Sequence, residues 1–251
     1  ATGRNFPGKD NVSRLSPFIH WGEISPFYIW EKANQLLKDE NKRIFCSEIG
    51  WREFSYYLLY HFPKINEKNL KVNFDSFKWI SDKKAINAWK LGQTGYPIVD
   101  AGMRELWNTG YMHNRVRMIV SSFLVKNLLI HWKYGEEWFR DCLLDADMAS
   151  NSASWQWVAG TGTDAAPFFR IFNPITQSEK FDKEAYYIKK YLPELSQLPL
   201  KYIFQPWIAD KETLNTFNVR LGENYPFPVV DYVFSRKRAL DAFKKLTNKN
   251  F

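Results

Sequence analysis

Residues 112–131, MHNRVRMIVSSFLVKNLLIH, decide the fold. Met112, Val116, Ile119, Val120, Phe123, Leu124 and Leu128 recur at steps of three and four, the period of a helix. The opposite face carries Ser121, Ser122 and Val125 and is nearly uncharged. A helix apolar nearly all round lies inside a protein. The spacing therefore predicts one buried helix over Met112–His131, with other helices around it. Working outward, Pro97–Trp107 reads as a helix closed by Gly110, a C-terminal cap. Asp82–Lys90 reads as the helix before it. On the other side Gly135 ends the central helix and Glu136–Leu144 forms the next. Ser25 and Pro26 open a helix to about Leu37, with Ser as its cap and Pro in its first turn. Ser47–Tyr60 is another, ended by Pro63. Prolines and mixed polarity make 201–230 an irregular excursion, and Ser235–Leu246 is a basic amphipathic helix. Alternating β-branched runs are scarce and no repeat occurs. The fold class expected is all-α, a single helical domain over residues 1–251.

With 251 residues and 45% hydrophobic side chains the chain can bury a sizeable core, which excludes a disordered protein. Lys and Arg number 35 against 27 Asp and Glu, a formal charge of +8 that suits an acidic partner, nucleic acid first. Two cysteines, Cys46 and Cys142, are too few for a disulfide framework and fit a reducing, cytoplasmic compartment. The most apolar stretch, 118–130, is short and carries Lys126, so no membrane span is expected. The four histidines lack ligand spacing and no metal is expected.

Several clusters bear chemistry. Asp145, Asp147 and Asn151 sit among residues that read as buried, and lack the Gly and Glu of a calcium loop. Buried carboxylates need partners, and Arg117, on the apolar helix, needs an anion. Asn114, Arg117 and Met118 share one helical face. Ser13, Arg14 and Ser16 precede a helix start, and pattern alone leaves phosphate binding and ordinary capping both open. Gly160-Thr-Gly-Thr-Asp-Ala165 fits a dinucleotide fingerprint, but no βαβ context surrounds it, so a tight Gly turn is the better reading.

The strings SRLSPFIHWGEISP (13–26), WREF (51–54), GQTGYPIVDAGMREL (92–106), GYMHNRVRMIVSSFLVKNLLIHW (110–132) and LLDADMASNSASWQWVAGTGTDAAPFFRIFNP (143–174) resemble the photolyase and cryptochrome family. The resemblance is to its helical, FAD-binding half, and specifically to a class I photolyase that repairs cyclobutane pyrimidine dimers. The family's N-terminal α/β antenna domain has no counterpart here, so no folate or deazaflavin antenna is expected on this chain. The cofactor implied is FAD, active when reduced. Ser13, Arg14, Leu15 and Ser16 match the family's phosphate loop. Arg117, Asp145, Asp147, Asn151 and Phe45 match residues around the flavin. Glu48, Asn114 and Met118 match residues that contact the dimer, and Trp51 and Trp157 match the walls that grip it. Glu48 would be buried and donate a hydrogen bond to a thymine carbonyl. Arg115 and Arg170 match basic residues near the DNA or dimer. Trp155, Trp132 and Trp79 match an electron relay from flavin to surface. The implied partner is UV-damaged DNA, met as a monomer. The alternative is a cryptochrome-type photoreceptor, and Asn151 favours repair, since cryptochromes carry other residues there. Departures from the family are Val12 for a hydroxyl residue, Phe45 for Trp, and Ala153-Ser154 for Gly-Gly.

Overall fold

The computed structural model describes residues 1–247. The last four residues of the expected domain, 248–251, lie outside the described residues. Thirteen α-helices follow one another among the described residues, with no strand beyond a single bridge between Leu221 and Tyr225. They are α1 (Ser16–His20), α2 (Pro26–Leu36), α3 (Asp39–His61), α4 (Lys83–Lys90), α5 (Pro97–Thr109), α6 (Asn114–Ser122), α7 (Trp132–Cys142), α8 (Met148–Ala159), α9 (Pro174–Phe181), α10 (Tyr186–Tyr191), α11 (Leu200–Ile203), α12 (Lys211–Thr216) and α13 (Tyr232–Thr247). The all-α expectation holds.

The central helix is shorter than the apolar period suggests. His113 caps α6, its Nδ1 accepting from the Arg115 backbone N–H at 3.1 Å. After Ser122 the backbone widens into a π-type turn over Phe123–Asn127, and Leu129, at φ +55°, reverses the chain. The cause is tertiary. Lys126 Nζ donates to the Arg170 carbonyl at 2.8 Å and Asn127 Nδ2 to Ser235 Oγ at 2.9 Å, so both side chains find partners outside the helix. His131 then caps α7, which begins earlier than the expected Glu136. Likewise α3 runs from Asp39, not Ser47, with Asp39 and Glu40 in its first turn, where acids suit the helix dipole.

α8 is the helix the periodicity misses. Asp147 caps it by accepting from the Ser150 N–H at 2.8 Å, and Gly160, at φ +88°, closes it. It packs between α3 and α7. Gly135 of α7 makes that approach close: a Cβ there would lie 2.1 Å from the Trp155 ring. The fully buried cluster of Trp89, Leu106, Val116, Leu124, Trp132 and Trp155 ties α4, α5, α6, α7 and α8 together. Residues of α3, α6 and α8 also line a common hollow.

Candidate functional site

Two adjoining cavities of about 570 Å³ each open between these helices, a size that suits a large organic ligand. Glu48, Trp51, Asn114, Arg117 and Asp145 line both, so the cavities are lobes of one hollow. Ser13–Ser16, Phe45 and Asp147 line the first lobe only. Met118, Asn151, Trp155, Trp157 and the turn 162–165 line the second.

At the shared wall the Arg117 Nη2 lies 2.9 Å from Asp145 Oδ2, the pairing the buried charges demand. Burial alone would raise the Asp145 carboxyl, but the Arg117 guanidinium and the Ser16 hydroxyl, 2.5 Å away, together hold it below the ordinary carboxylate range. The other oxygen, Asp145 Oδ1, is buried without a partner. Because buried acceptors are nearly always satisfied, it awaits a donor from a ligand. The same wall includes residues 13–16, none of which caps α1 with its side chain. Leu15 occupies the α1 cap position with no side-chain cap, Ser16 turns to Asp145 instead, and Arg14 holds a left-handed φ of +53°. Capping is excluded, and strained backbone of this kind gathers at ligand sites. Arg14 and Arg117 also stand over the Tyr111 ring, at 5.0 and 5.7 Å.

In the second lobe Asn151, on α8, donates its amide to Glu136, leaving its Oδ1 without a protein partner among the described residues. Glu136 escaped the sequence reading. Its signal was present, since an acid at 136 shares the buried face of α7 with Trp132, Gly135 and Phe139. The Trp51 and Trp157 rings lie at the lobe's edge, 51 half-exposed and 157 half-buried. Asn114, Arg117 and Met118 share a face of α6 as expected.

One placement differs from expectation, and two expected basic residues lie outside both lobes. Glu48 is not buried: it is exposed at the rim and paired with Arg4, Nη1 to Oε1 at 2.6 Å. Arg115 turns away from both lobes, donating to Asn5 Oδ1 at 2.6 Å and stacking 4.4 Å over the Phe181 ring. Arg170 is exposed outside the lining, and its carbonyl, not its guanidinium, is fixed, by Lys126. The 160–165 stretch is the Gly turn expected, ending α8.

Of the expected relay, Trp155 and Trp132 are buried and Trp79 is half-buried. Trp155 meets Phe139 edge-on at 4.9 Å and Trp89 at 6.1 Å. His131 stands between the outer two, 5.4 Å from Trp132 and 5.3 Å from Trp79. Burial lowers the His131 pKa to about 4, so this ring is neutral at pH 7. No helix is long and apolar enough to cross a membrane, among the described residues.

The family model described as the FAD binding domain of DNA photolyase matches residues 45–245. A deoxyribodipyrimidine photo-lyase of Agrobacterium fabrum is 55% identical over 244 residues, 96% of this chain and 51% of the relative. Cryptochrome-2 of Arabidopsis thaliana is 42% identical over 246 residues, covering 94% and 40%. Among solved structures, a bacterial class III photolyase from Agrobacterium tumefaciens superposes with a TM-score of 0.95 at 53% identity, covering 98% of this chain and 52% of that one. The chain belongs to the photolyase and cryptochrome family, as its FAD-binding helical domain. It spans about half the length of the photo-lyase it matches.

The residues present fit that cofactor. An FAD would find Arg14, held at a left-handed φ within Ser13–Ser16, for its phosphates, and the unpartnered acceptor Asp145 Oδ1 and the Asn151 side chain for its ring N–H groups.

Proposed function

We propose that the protein splits cyclobutane pyrimidine dimers in UV-damaged DNA, using reduced FAD and blue light. The observation that carries this is the shared wall. Glu48, Asn114, Arg117 and Asp145 face both lobes, so a cofactor in one and a lesion in the other would meet across a single layer of side chains. The chemistry that reduced FAD supplies is a light-driven electron, lent to the dimer and recovered once its bonds have opened.

The chain's own residues do the rest. Ser13–Ser16 and Arg14 hold phosphates; Asp145 and Asn151 accept hydrogen bonds and orient the ring. Trp51 and Trp157 stack on a dimer drawn out of the helix, which costs less for a damaged, poorly stacked pair. Asn114, at the shared wall, and Met118, in the second lobe, face it, with Glu48 at the rim. Glu48, ion-paired with Arg4 at the rim, accepts hydrogen bonds and orients the guest. The charge of +8 attracts the phosphate backbone whatever its sequence. Trp155, Trp132 and Trp79, ordered from core to surface, carry electrons inward to return spent flavin to its active state. The 53% identity to a class III photolyase favours that class over class I. Free Cys46 and Cys142 fit a cytoplasmic setting. A monomer suffices, since one chain supplies both lobes.

The cryptochrome reading, which the Arabidopsis relative keeps in view, is separated by one assay. Chemically reduced, FAD-loaded protein should restore dimer-containing oligonucleotides in blue light and not in the dark. Light-driven flavin reduction with no restoration would favour signalling.

A further inference from the structure

The buried indole of Trp132 is not left to the apolar core. Its Nε1–H donates to Asn69 Oδ1 at 2.8 Å, and Asn69 Nδ2 donates in turn to Asp75 Oδ1 at 2.7 Å. Trp132 is fully buried, Asn69 half-buried and Asp75 exposed. A chain of two hydrogen bonds thus runs from the middle of the tryptophan series to a surface carboxylate. Trp155, by contrast, is packed against rings and shows no such link.

The chain is held in register by α8 itself. Gln156, fully buried next to Trp155, donates to the carbonyls of Ile65 at 2.7 Å and Lys68 at 2.9 Å. Its Oε1 accepts from the Leu70 N–H and the Thr161 hydroxyl, both at 3.0 Å. Three of its four hydrogen bonds go to the segment that presents Asn69. The helix that carries the inner tryptophan therefore also fixes the partner of the middle one.

We infer that Asn69, backed by Asp75, is a positioning residue that makes Trp132 a stable way-station for positive charge. The inference rests on the relay reading above. With FAD bound, its photoexcited oxidised form would supply the oxidant, and Trp155 would give up the first electron. Trp132 gives one electron to Trp155 and takes one from Trp79. An amide carbonyl is a good acceptor and a very weak base, so the oxidised Trp132 keeps its Nε1 proton. Its charge is steadied by the hydrogen bond and by the negative end of the chain, which counts for more in a buried setting than in water. Trp79, half-exposed, ends the sequence by releasing its indole proton to water. One electron has moved inward and one proton has left. His131, neutral beside Trp132, adds no opposing charge, and its two charged neighbours, Lys133 and Asp75, act on it with opposite signs.

The test uses FAD-loaded protein and three variants, Asn69→Leu, Asp75→Asn and Trp132→Phe. Asp75→Asn is an exposed, isosteric change that keeps the fold if Asn69→Leu does not. Two quantities are read: the yield of flavin photoreduction after a flash, with the spectrum of the tryptophan radical, and the Trp132 indole N–H signal by NMR in the dark. The expected result is a loss of exchange protection at that N–H in Asn69→Leu. Photoreduction yield should fall about two- to tenfold, the range one hydrogen bond is worth, in both Asn69→Leu and Asp75→Asn. FAD content should not change. Wild-type yield in both variants, with Trp132→Phe reduced, overturns the inference and leaves the relay standing. Wild-type yield in Trp132→Phe overturns the relay, and this inference with it.

Discussion

Asn151 turns its amide nitrogen onto Glu136, with Nδ2 2.9 Å from the Glu136 carbonyl oxygen and 3.1 Å from its Oε1. Glu136 also accepts from the Ser152 hydroxyl at 3.1 Å and is almost fully buried. Burial raises its pKa, offset in part by Arg140 and these two donors. The contact settles which end of Asn151 faces the hollow.

Replacing Glu136 with Leu strands the Ser152 hydroxyl and removes one of the two acceptors of Asn151 Nδ2, whose bond to the backbone carbonyl of residue 136 remains; a buried orphan costs about 1–3 kcal/mol. Urea unfolding should show a loss on the order of 2 kcal/mol, and FAD affinity should drop as Asn151 is held by one bond instead of two. Glu136→Gln, which keeps an acceptor oxygen, should recover most of both. Equal losses in the two variants would contradict the assignment.

Arg117→Met removes the one cation beside a carboxylate whose side chain is 6% exposed. Breaking a buried pair from one side costs roughly 3–5 kcal/mol. Asp145 should then titrate higher, and the unfolding free energy of the variant should improve relative to wild type as pH falls toward 5. Restoring neutrality with Arg117→Met/Asp145→Asn should return much of the stability at pH 7.

Much of this was legible beforehand, for physical reasons that differ by residue. The Arg117–Asp145 pair follows from charge, since an Arg on an apolar helix and an Asp between apolar runs each need a partner. α8 was hidden because MASNSASWQWVA mixes small, polar and aromatic residues all round the helix, so no stripe marks it, although Asp147 and Gly160 bracket it. The break in the central helix was hidden because its causes, Arg170 and Ser235, are 44 and 108 residues away from Lys126 and Asn127. The Gln156 clamp and Glu48's exposure are likewise tertiary facts with no local signature.

His113 gives a pH dependence whose sign can be worked out. Burial, then Arg115 and Arg117, lower its folded pKa to about 4 from an ordinary 6.5. Its Nδ1 must stay unprotonated to cap α6. Above pH 6.5 neither state binds the proton and the contribution is fully present. Between about 6.5 and 4 the unfolded chain binds it and the folded one does not, so stability falls with pH. Chemical unfolding at pH 7 and 4.5 should cost wild type ~2 kcal/mol more than His113→Asn, which caps without titrating.

Trp157→Ala should weaken binding of a dimer-containing oligonucleotide by about 1–3 kcal/mol, the worth of one base–aromatic stack, and change binding of undamaged duplex far less. Equal losses on both DNAs, read by fluorescence anisotropy, would place Trp157 outside the lesion pocket.

FAD retention in the hollow is tested most directly by an absorption spectrum after gel filtration. Purified protein incubated with excess FAD should retain equimolar flavin with its visible bands, and Asp145→Ala should retain little. A wild-type protein that is helical by circular dichroism yet emerges colourless would contradict it.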